Sequence, residues 1–366
     1  MRMIKKEFKI FSITILLVLF GQVTFSCTVP VFQYALERWN QSYYDGVLLY
    51  EGNLTQKEKE TYAEFQEMLQ KNNSLLNLRM EKLDVSSQPD KYQQLLKNLR
   101  PDRLPALALW YPRQKGQGEP FWIGDFQMPV ISNIVESDKR HEVSNHLVDG
   151  SPIVWMLIAP GGHSDHQETL NRLRTAISES VGVMKQSPQF KPLIVNGENE
   201  ISFPVVTVSA ENSEESVLLS MVTGLSEGSS LKQPMVVPVF GRGRALTTFP
   251  AHEIDEELIY NIMSFLLSPC ACQIKMASPG TDMLIKAQWE KAFGQFASMD
   301  NTPALTSVMP DSSTTITTEN DSIIDLTTDQ HSSFFSSRVI GSAGGIIGIL
   351  VVIIGIITVI ILKRKY

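Results

Sequence analysis

Two cysteines separated by one alanine, Cys270 and Cys272 in "SPCACQIK", carry the most reactive side chains of the 366-residue sequence. A Cys-x-Cys closes as a strained, easily reduced disulfide or presents two thiolates to a metal. The pair follows a helical stretch instead of starting one, so it lacks the helix dipole that lowers a thiol pKa in redox motifs. A structural role is therefore expected. The third cysteine, Cys27 in "FSCTVPVFQYALERW", stands where an exported chain would be cut. Three cysteines are an odd number, so one intramolecular bridge leaves a sulfur for lipid, for another chain or for nothing. In an oxidising compartment the expected bridge joins Cys27 to Cys270 or Cys272 and ties the chain start to the end of the globular body. As a lipid-attachment box Thr24-Phe25-Ser26-Cys27 is poor, because Phe25 is bulky, whereas small Thr24 and Ser26 suit an ordinary signal-peptidase site. Cys27 then becomes the first mature residue.

Three other clusters compete with simpler explanations. His163, Asp165 and His166 in "APGGHSDHQE" are of the types that bind a metal or hold a general base, but a fourth ligand is missing. Ser164 or Asp165 capping a helix that starts near His166 accounts for them as well. Arg242 and Arg244 in "GRGRAL" join guanidinium groups to a run of backbone N–H donors, a combination that suits phosphate or carboxylate, while a hairpin turn explains the glycines without a ligand. "GLSEG", Gly224 to Gly228, has the G-x-S-x-G pattern of a hydrolase nucleophile, but a helix precedes it and a strand follows, the reverse of what that chemistry needs. It reads as a helix C-cap and loop. The aromatic residues Trp110, Tyr111, Phe121 and Trp122 serve either as core or as a contact face. No catalytic residue, metal or cofactor is assigned from the sequence.

These residues are held by a chain whose two ends are not globular. Arg2, Lys5, Lys6 and Lys9 precede the apolar run Ile10 to Phe20, which describes a secretory signal over residues 1–26. Val339 to Leu362 is free of charge, long enough to cross the hydrocarbon core, and followed by Lys363-Arg364-Lys365. A single membrane helix is expected, with the basic tail 363–366 in the cytoplasm and everything before it outside. Gly341, Gly345 and Gly344, Gly348 are spaced as small-xxx-small pairs that would let two such helices meet as a homodimer. Residues 298–338 are rich in Ser, Thr, Asp and Asn without apolar periodicity, as in an extended stalk. The net charge is −7, and removing the +3 of the signal run and the +3 of the tail leaves −13 for the exported part. A surface this acidic argues against nucleic acid as a partner and leaves the membrane helix and protein contacts.

Between these ends one order of elements occurs twice, over 27–150 and 151–297. "DGVLLYEG", a helical face of Tyr62, Phe65, Met68 and Leu69, "NLRMEKLDV", a short helix marked by Tyr92, Leu95, Leu96 and Leu99, the strands "LPALALWYP" and "EPFWIGDF", and a helical region from Pro129 to Leu147 give β-α-β-α-β-β-α. "SPIVWMLIAP", the helical face from Leu170 to Met184, "ISFPVVTVSA", the face from Val217 to Leu225, the hairpin "QPMVVPVFGRGRALTTF" and "DEELIYNIMSFLLS" repeat it. This order, with Pro105 and Pro234 just before the hairpin strands, resembles the thioredoxin-like fold, so the fold class expected is α/β with two tandem units. The resemblance implies a cis proline beside a Cys-x-x-Cys at the start of each first helix. The sequence has "YEGNLTQKE" and "APGGHSDHQE" there, with no cysteine, so disulfide oxidoreductase activity does not carry over. Separately, "CTVPVFQYALERW" and "SPCACQIK" look like segments of an uncharacterised family of exported, membrane-anchored bacterial proteins, a resemblance that brings no activity with it. The function expected is a membrane-anchored, extracytoplasmic binding or assembly module, and the alternative is a thiol-disulfide or metal-dependent enzyme using Cys270 and Cys272 or the His163 cluster.

Overall fold

In the computed structural model, which describes residues 29–87, 104–114, 119–160, 163–196, 199–224, 231–269, 275 and 280–293, the apolar runs form two mixed sheets with helices packed around them. The side chains of 163–165, 196 and 199 are likewise outside the description. The segments expected as signal, stalk, membrane helix and basic tail, all three cysteines, and the short helix expected around Tyr92 to Leu99 lie outside the described residues.

The chain opens with α1 (Val31–Arg38), then β1 (Tyr44–Tyr50), α2 (Gln56–Lys71), β2 (Leu78–Asp84), β3 (Ala106–Trp110) and β4 (Trp122–Asp125). The four strands lie in the order β2-β1-β3-β4, with β1 parallel to β2 and antiparallel to β3. The helical region expected as one piece from Pro129 to Leu147 is two helices, α3 (Met128–Val135) and α4 (Asp138–Val148). The break has a local cause: Glu136 and Ser137 are extended, and the Ser137 hydroxyl accepts from Arg140 N at 3.4 Å, starting a new helix with its own cap.

The second sheet follows from β5 (Ile153–Ala159), α5 (His163–Gln186), the single turn α6 (Lys191–Ile194), the small hairpin β6 (Val195–Asn196) and β7 (Asn199–Glu200), β8 (Val205–Ser209), α7 (Ser216–Thr223), β9 (Met235–Phe240), β10 (Arg244–Ala245), β11 (Phe249–Pro250), α8 (Glu256–Leu267) and β12 (Thr281–Asp282). Its strand order is β12-β10-β9-β5-β8, with β11 also on β9, and β5 is parallel to β8 and antiparallel to β9. All seven residues of β5 are buried, as a strand covered on both faces requires. The turn between β9 and β10 needs its glycines: Gly241 and Gly243 have φ of 57° and 74°, and a Cβ on Gly241 would stand 2.7 Å from that of Ala35 in α1.

One apolar cluster contains Leu107, Leu109 and Trp122 of the first sheet together with Trp155, Val206 and Val237 of the second. The segment after β12 connects the two sheets through the backbone. Met283, Leu284 and Ile285 are buried, Asn77 at the start of β2 donates from Nδ2 to Met283 O at 3.0 Å and accepts from Ile285 N at 3.1 Å, and Ala287 N donates to Leu75 O at 3.1 Å.

The same segment is held by Arg140, which is only 2% exposed. Its Nη1 donates to Leu284 O at 2.9 Å and to Ile134 O at 3.1 Å, its Nη2 donates to Asn133 O, and its Nε donates to Ser137 Oγ at 3.0 Å. The Ser137 hydroxyl in turn donates to the buried carboxylate of Glu215 at 2.6 Å, whose second oxygen accepts from Lys139 N at 2.9 Å. Burial lowers the pKa of Arg140 to about 10 while Glu215 and Glu136 act in the opposite sense, so the guanidinium is charged at neutral pH. Arg140→Leu should lower stability by about 3 kcal/mol or more, because it leaves Glu215 buried without its cation and the carbonyls of Ile134 and Leu284 without donors. Arg140→Lys should recover only part of the loss, since one ammonium cannot span the fork. Thermal and denaturant midpoints of the full chain in detergent measure both.

Candidate functional site

Three places hold the residues singled out by the sequence. The first is the loop from β1 into α2. Leu49 stands opposite Ala106, so Pro105 comes alongside the end of β1, and the Leu104–Pro105 bond is cis. Pro234 follows a trans bond, so the cis proline that the thioredoxin-like resemblance implies is present in the first sheet and not in the second. At the start of α2, Thr55 Oγ1 accepts from Glu58 N at 3.3 Å and Glu58 Oε2 accepts from Thr55 N at 2.6 Å, a complete capping box. Leu54 beside it is buried in the core. The loop is fixed from β2 as well: Asp84 Oδ1 accepts from Gly52 N at 3.2 Å and from Ser86 Oγ and N at 2.6 and 3.0 Å. Capping hydroxyl, capping carboxylate and apolar anchor stand where the resemblance would place two cysteines, so these side chains offer no thiol for disulfide exchange.

The second place is the start of α5. The helix begins at His163, earlier than expected, because the breakers Pro160, Gly161 and Gly162 end there. Ser164 and Asp165 accordingly fall inside its first turn, and their side chains lie outside the described residues. The side chain of His163 lies outside them too, and His166 is half-buried one turn into the helix. Among the described residues no three His, Cys, Asp or Glu side chains gather as a metal site. Gly224 ends α7 in the left-handed conformation with φ of 67°, which is the C-cap expected of the "GLSEG" stretch.

The third place separates the two hairpin arginines. Arg242 turns to the C-terminus of α1, where its Nε donates to Leu36 O at 2.6 Å and its Nη2 to Glu37 O at 3.1 Å, and its guanidinium lies 5.0 Å from the centre of the Phe293 ring. Burial lowers its pKa. A cation at these carbonyls complements the helix dipole. Arg244 points to the other side of the turn. It is 8% exposed, donates from Nη1 to Asp282 Oδ1 at 3.0 Å and lies 5.7 Å from the Trp39 ring centre. Asp282 Oδ2 accepts from Ser42 N at 2.7 Å and pairs with Lys275, whose ammonium also meets Asn40 O and Ser42 Oγ. Tyr44 donates from its hydroxyl to Asp282 O at 2.5 Å, and burial raises its pKa well above the ordinary value, so the donor keeps its proton.

Arg244, Lys275 and Asp282 line a cleft of about 420 Å³ together with Arg113, Gln114 and Thr281. Arg113 has φ of 65°, a conformation uncommon for a residue with a side chain and one that recurs at binding sites. Among the described residues its ionisable lining is Arg113, Arg244, Lys275 and Asp282. Below it the aromatic residues pack as core. Tyr44, Tyr111 and Phe121 contact one another, with centroid separations of 4.6 to 6.3 Å. Tyr111 donates to Met221 O at 2.8 Å and Trp122 Nε1 to Ser216 Oγ at 3.2 Å, which docks the first hairpin on α7. Trp110 is buried on the opposite face of the first sheet. Sequence reasoning passed over Arg113, Lys275 and Asp282. The only signal near them was the Arg244 motif, since their partners are remote in the chain.

No protein-family profile matches the chain, and no curated protein matches it. Solved structures similar to it include human ERp44 in its zinc-bound form, at 10% identity over 67% of this chain and 58% of that one with a TM-score of 0.22. The first two thioredoxin domains of Naumovozyma dairenensis Eps1p are 13% identical over 66% of this chain and 97% of theirs, with a TM-score of 0.20. Full-length ERdj5 is 9% identical over 64% of this chain and 31% of its own, with a TM-score of 0.20. These neighbours are thioredoxin-domain proteins. The chain spans 58% of the length of ERp44.

The Asp84 contacts make a pH prediction. Hydrogen bonds, first from the Ser86 hydroxyl and then from the Ser86 and Gly52 amides, lower its pKa in the folded state. A carboxylate with a lowered pKa stabilises the fold above its unfolded pKa, and that contribution disappears as the pH falls through the folded value. The Gly52 and Ser86 amide resonances should therefore titrate with a midpoint below the ordinary Asp range, and Asp84→Asn should abolish that transition in amide-resolved NMR.

Proposed function

We propose that the chain is a membrane-anchored, extracytoplasmic binding module of two tandem thioredoxin-like units, over 27–150 and 151–297, that lacks the redox chemistry of its fold. The strand order β2-β1-β3-β4 matches the order β8-β5-β9-β10 in the second sheet, with the same parallel and antiparallel relations, and this repetition supports the tandem reading. The signal over 1–26, the stalk over 298–338 and the apolar run Val339 to Leu362 supply the anchor and the orientation. Among the described residues no helix is long and apolar enough to cross a membrane, and the anchor is assigned to the C-terminal run alone.

The observation that carries the binding role is the cationic cleft at Arg113, Arg244 and Lys275. An acidic protein that concentrates positive charge around an opening of this size is suited to a partner presenting a carboxylate or phosphate group. Full-length protein in detergent should show a rise in thermal midpoint with inorganic phosphate or acetate at constant ionic strength, and Arg113→Gln or Lys275→Gln should reduce that rise at least several-fold. An equal rise in the wild type and both variants, or no rise at all, sinks the assignment.

The cysteines belong to the structural side of this proposal. Pro30 is bridged antiparallel to Pro269, and Val31 N donates to Ser268 O at 3.1 Å. In the sequence Cys27 comes three residues before Pro30, and Cys270 and Cys272 come one and three residues after Pro269, a spacing that supports a bond from Cys27 to one of the pair. Peptide mapping of alkylated, unreduced protein from membranes should find this bridge, and it should persist in mild reductant. A Cys270–Cys272 disulfide that turns over with a dithiol would instead establish the thiol-disulfide enzyme.

A further inference from the structure

We propose that Asn53 carries an N-linked glycan. The inference rests on the extracytoplasmic placement of the body proposed above. Asn53-Leu54-Thr55 is an Asn-x-Thr acceptor triplet whose middle residue is not proline. Glu51 adds the acidic residue two positions before the asparagine that stricter transfer enzymes also require. Two other triplets lie in the described residues, Asn40-Gln41-Ser42 and Asn72-Asn73-Ser74, and a fourth, Asn320-Asp321-Ser322, lies outside them in the stalk.

The fold distinguishes the three described asparagines. Asn72 is half-buried and its Nδ2, the atom a glycan would occupy, donates to Met68 O at 2.7 Å at the end of α2. Asn40 is exposed as well, but it stands beside the cleft with its Oδ1 accepting from Arg242 Nη1 at 3.4 Å and its carbonyl accepting from Lys275, so its amide is held by the packed turn and not presented by an open loop. Asn53 is exposed, between Gly52, which has open space around it and φ of 67°, and Leu54, which is buried and anchors the loop. The acceptor is thus presented outward by a loop fixed on both sides.

In the transfer the Asn53 amide nitrogen forms a bond to the anomeric carbon of a polyprenyl-diphosphate-linked oligosaccharide. The bond from that carbon to the diphosphate oxygen breaks, polyprenyl diphosphate leaves with the electron pair, the amide proton passes to solvent, and nothing is oxidised or reduced. The position gives the glycan a role. It stands at the end of β1, beside Pro105 and the start of α2. The cleft lies at the other end of β1, at Ser42 and Tyr44, about 20 Å away for a seven-residue strand, so the same glycan covers one end and leaves the other open.

The test is full-length chain made in a eukaryotic secretory host, treated with an N-glycosidase in heavy-oxygen water and mapped by mass spectrometry. Asn53 should be converted to labelled Asp, and Asn53→Gln should remove one glycan from the intact mass without lowering the thermal midpoint, whereas Asn72→Gln should remove none. An unmodified Asn53 in a chain whose Asn320 is glycosylated overturns this inference and leaves the proposed orientation standing. An absence of glycan at both overturns the inference together with the extracytoplasmic placement.

Discussion

A buried guanidinium that, among the described residues, meets no carboxylate directly is the constraint on which the rest of the fold depends. Arg140 can remain charged in the core only if its donors are met, and the groups that meet them come from places far apart in the chain: Asn133 and Ile134 at the end of α3, Ser137 at the α4 cap, and Leu284 after β12. Ser137 relays the charge to Glu215 just before α7. Desolvating a cation and an anion together costs several kcal/mol, and contacts of this kind often do no better than apolar residues would. Their effect lies in register. A shift of the segment after β12 by one residue would remove Leu284 O from the fork and, with it, Asn77 from Met283 and Ile285. The two sheets are thereby fixed in one arrangement, which apolar packing alone specifies less sharply.

A second polar knot sits where β10 meets β12, and it differs from the first in its charge balance. Around Arg140 the cation is answered by Glu215 through one hydroxyl, and the group is closed to solvent. Around Asp282 one carboxylate is shared by Arg244 and Lys275, and Arg113 adds a further cation to the lining of an open cleft. Low-dielectric walls make each charge act over a longer distance than at a flat surface. The group around Asp282 thus faces an open cleft, whereas the one around Arg140 is enclosed.

The sequence pattern exposed the elements with strong periods and concealed the contacts between them. Val47 to Leu49, the whole of β5, the Leu173 to Met184 face of α5 and the glycines of the β9–β10 turn are local signals, and each has its expected place. α1 gave no such signal because eight residues make barely two turns, and β12 gave none because two residues cannot show alternation. The break at Ser137 was readable as a capping residue, but the apolar residues on both sides concealed it. Arg140 and Asp282 looked like ordinary surface charges, since what buries them is separated by 144 and 240 positions in the chain. For the site, Arg242 and Arg244 stood out together on a hairpin. Only the turn geometry, with one arginine facing α1 and the other facing β12, shows that they belong to different environments.

The start of α2 shows how the positive end of a helix can be answered from within the chain. In thioredoxin-like proteins the first N–H groups of that helix and the positive end of its dipole favour a thiolate. In this chain a carboxylate already occupies that field: Glu58 lies in the first turn and bonds back to Thr55 N, while Thr55 Oγ1 takes Glu58 N. Two of the unpaired helix donors are thus used locally, and the favourable charge is supplied from within the helix. Any anion brought to this end would compete with Glu58 for the same donors. The anion site proposed above lies instead at the opposite end of β1, where Ser42 N and the Tyr44 hydroxyl are committed to Asp282 and Arg113, Arg244 and Lys275 line the cleft beside them.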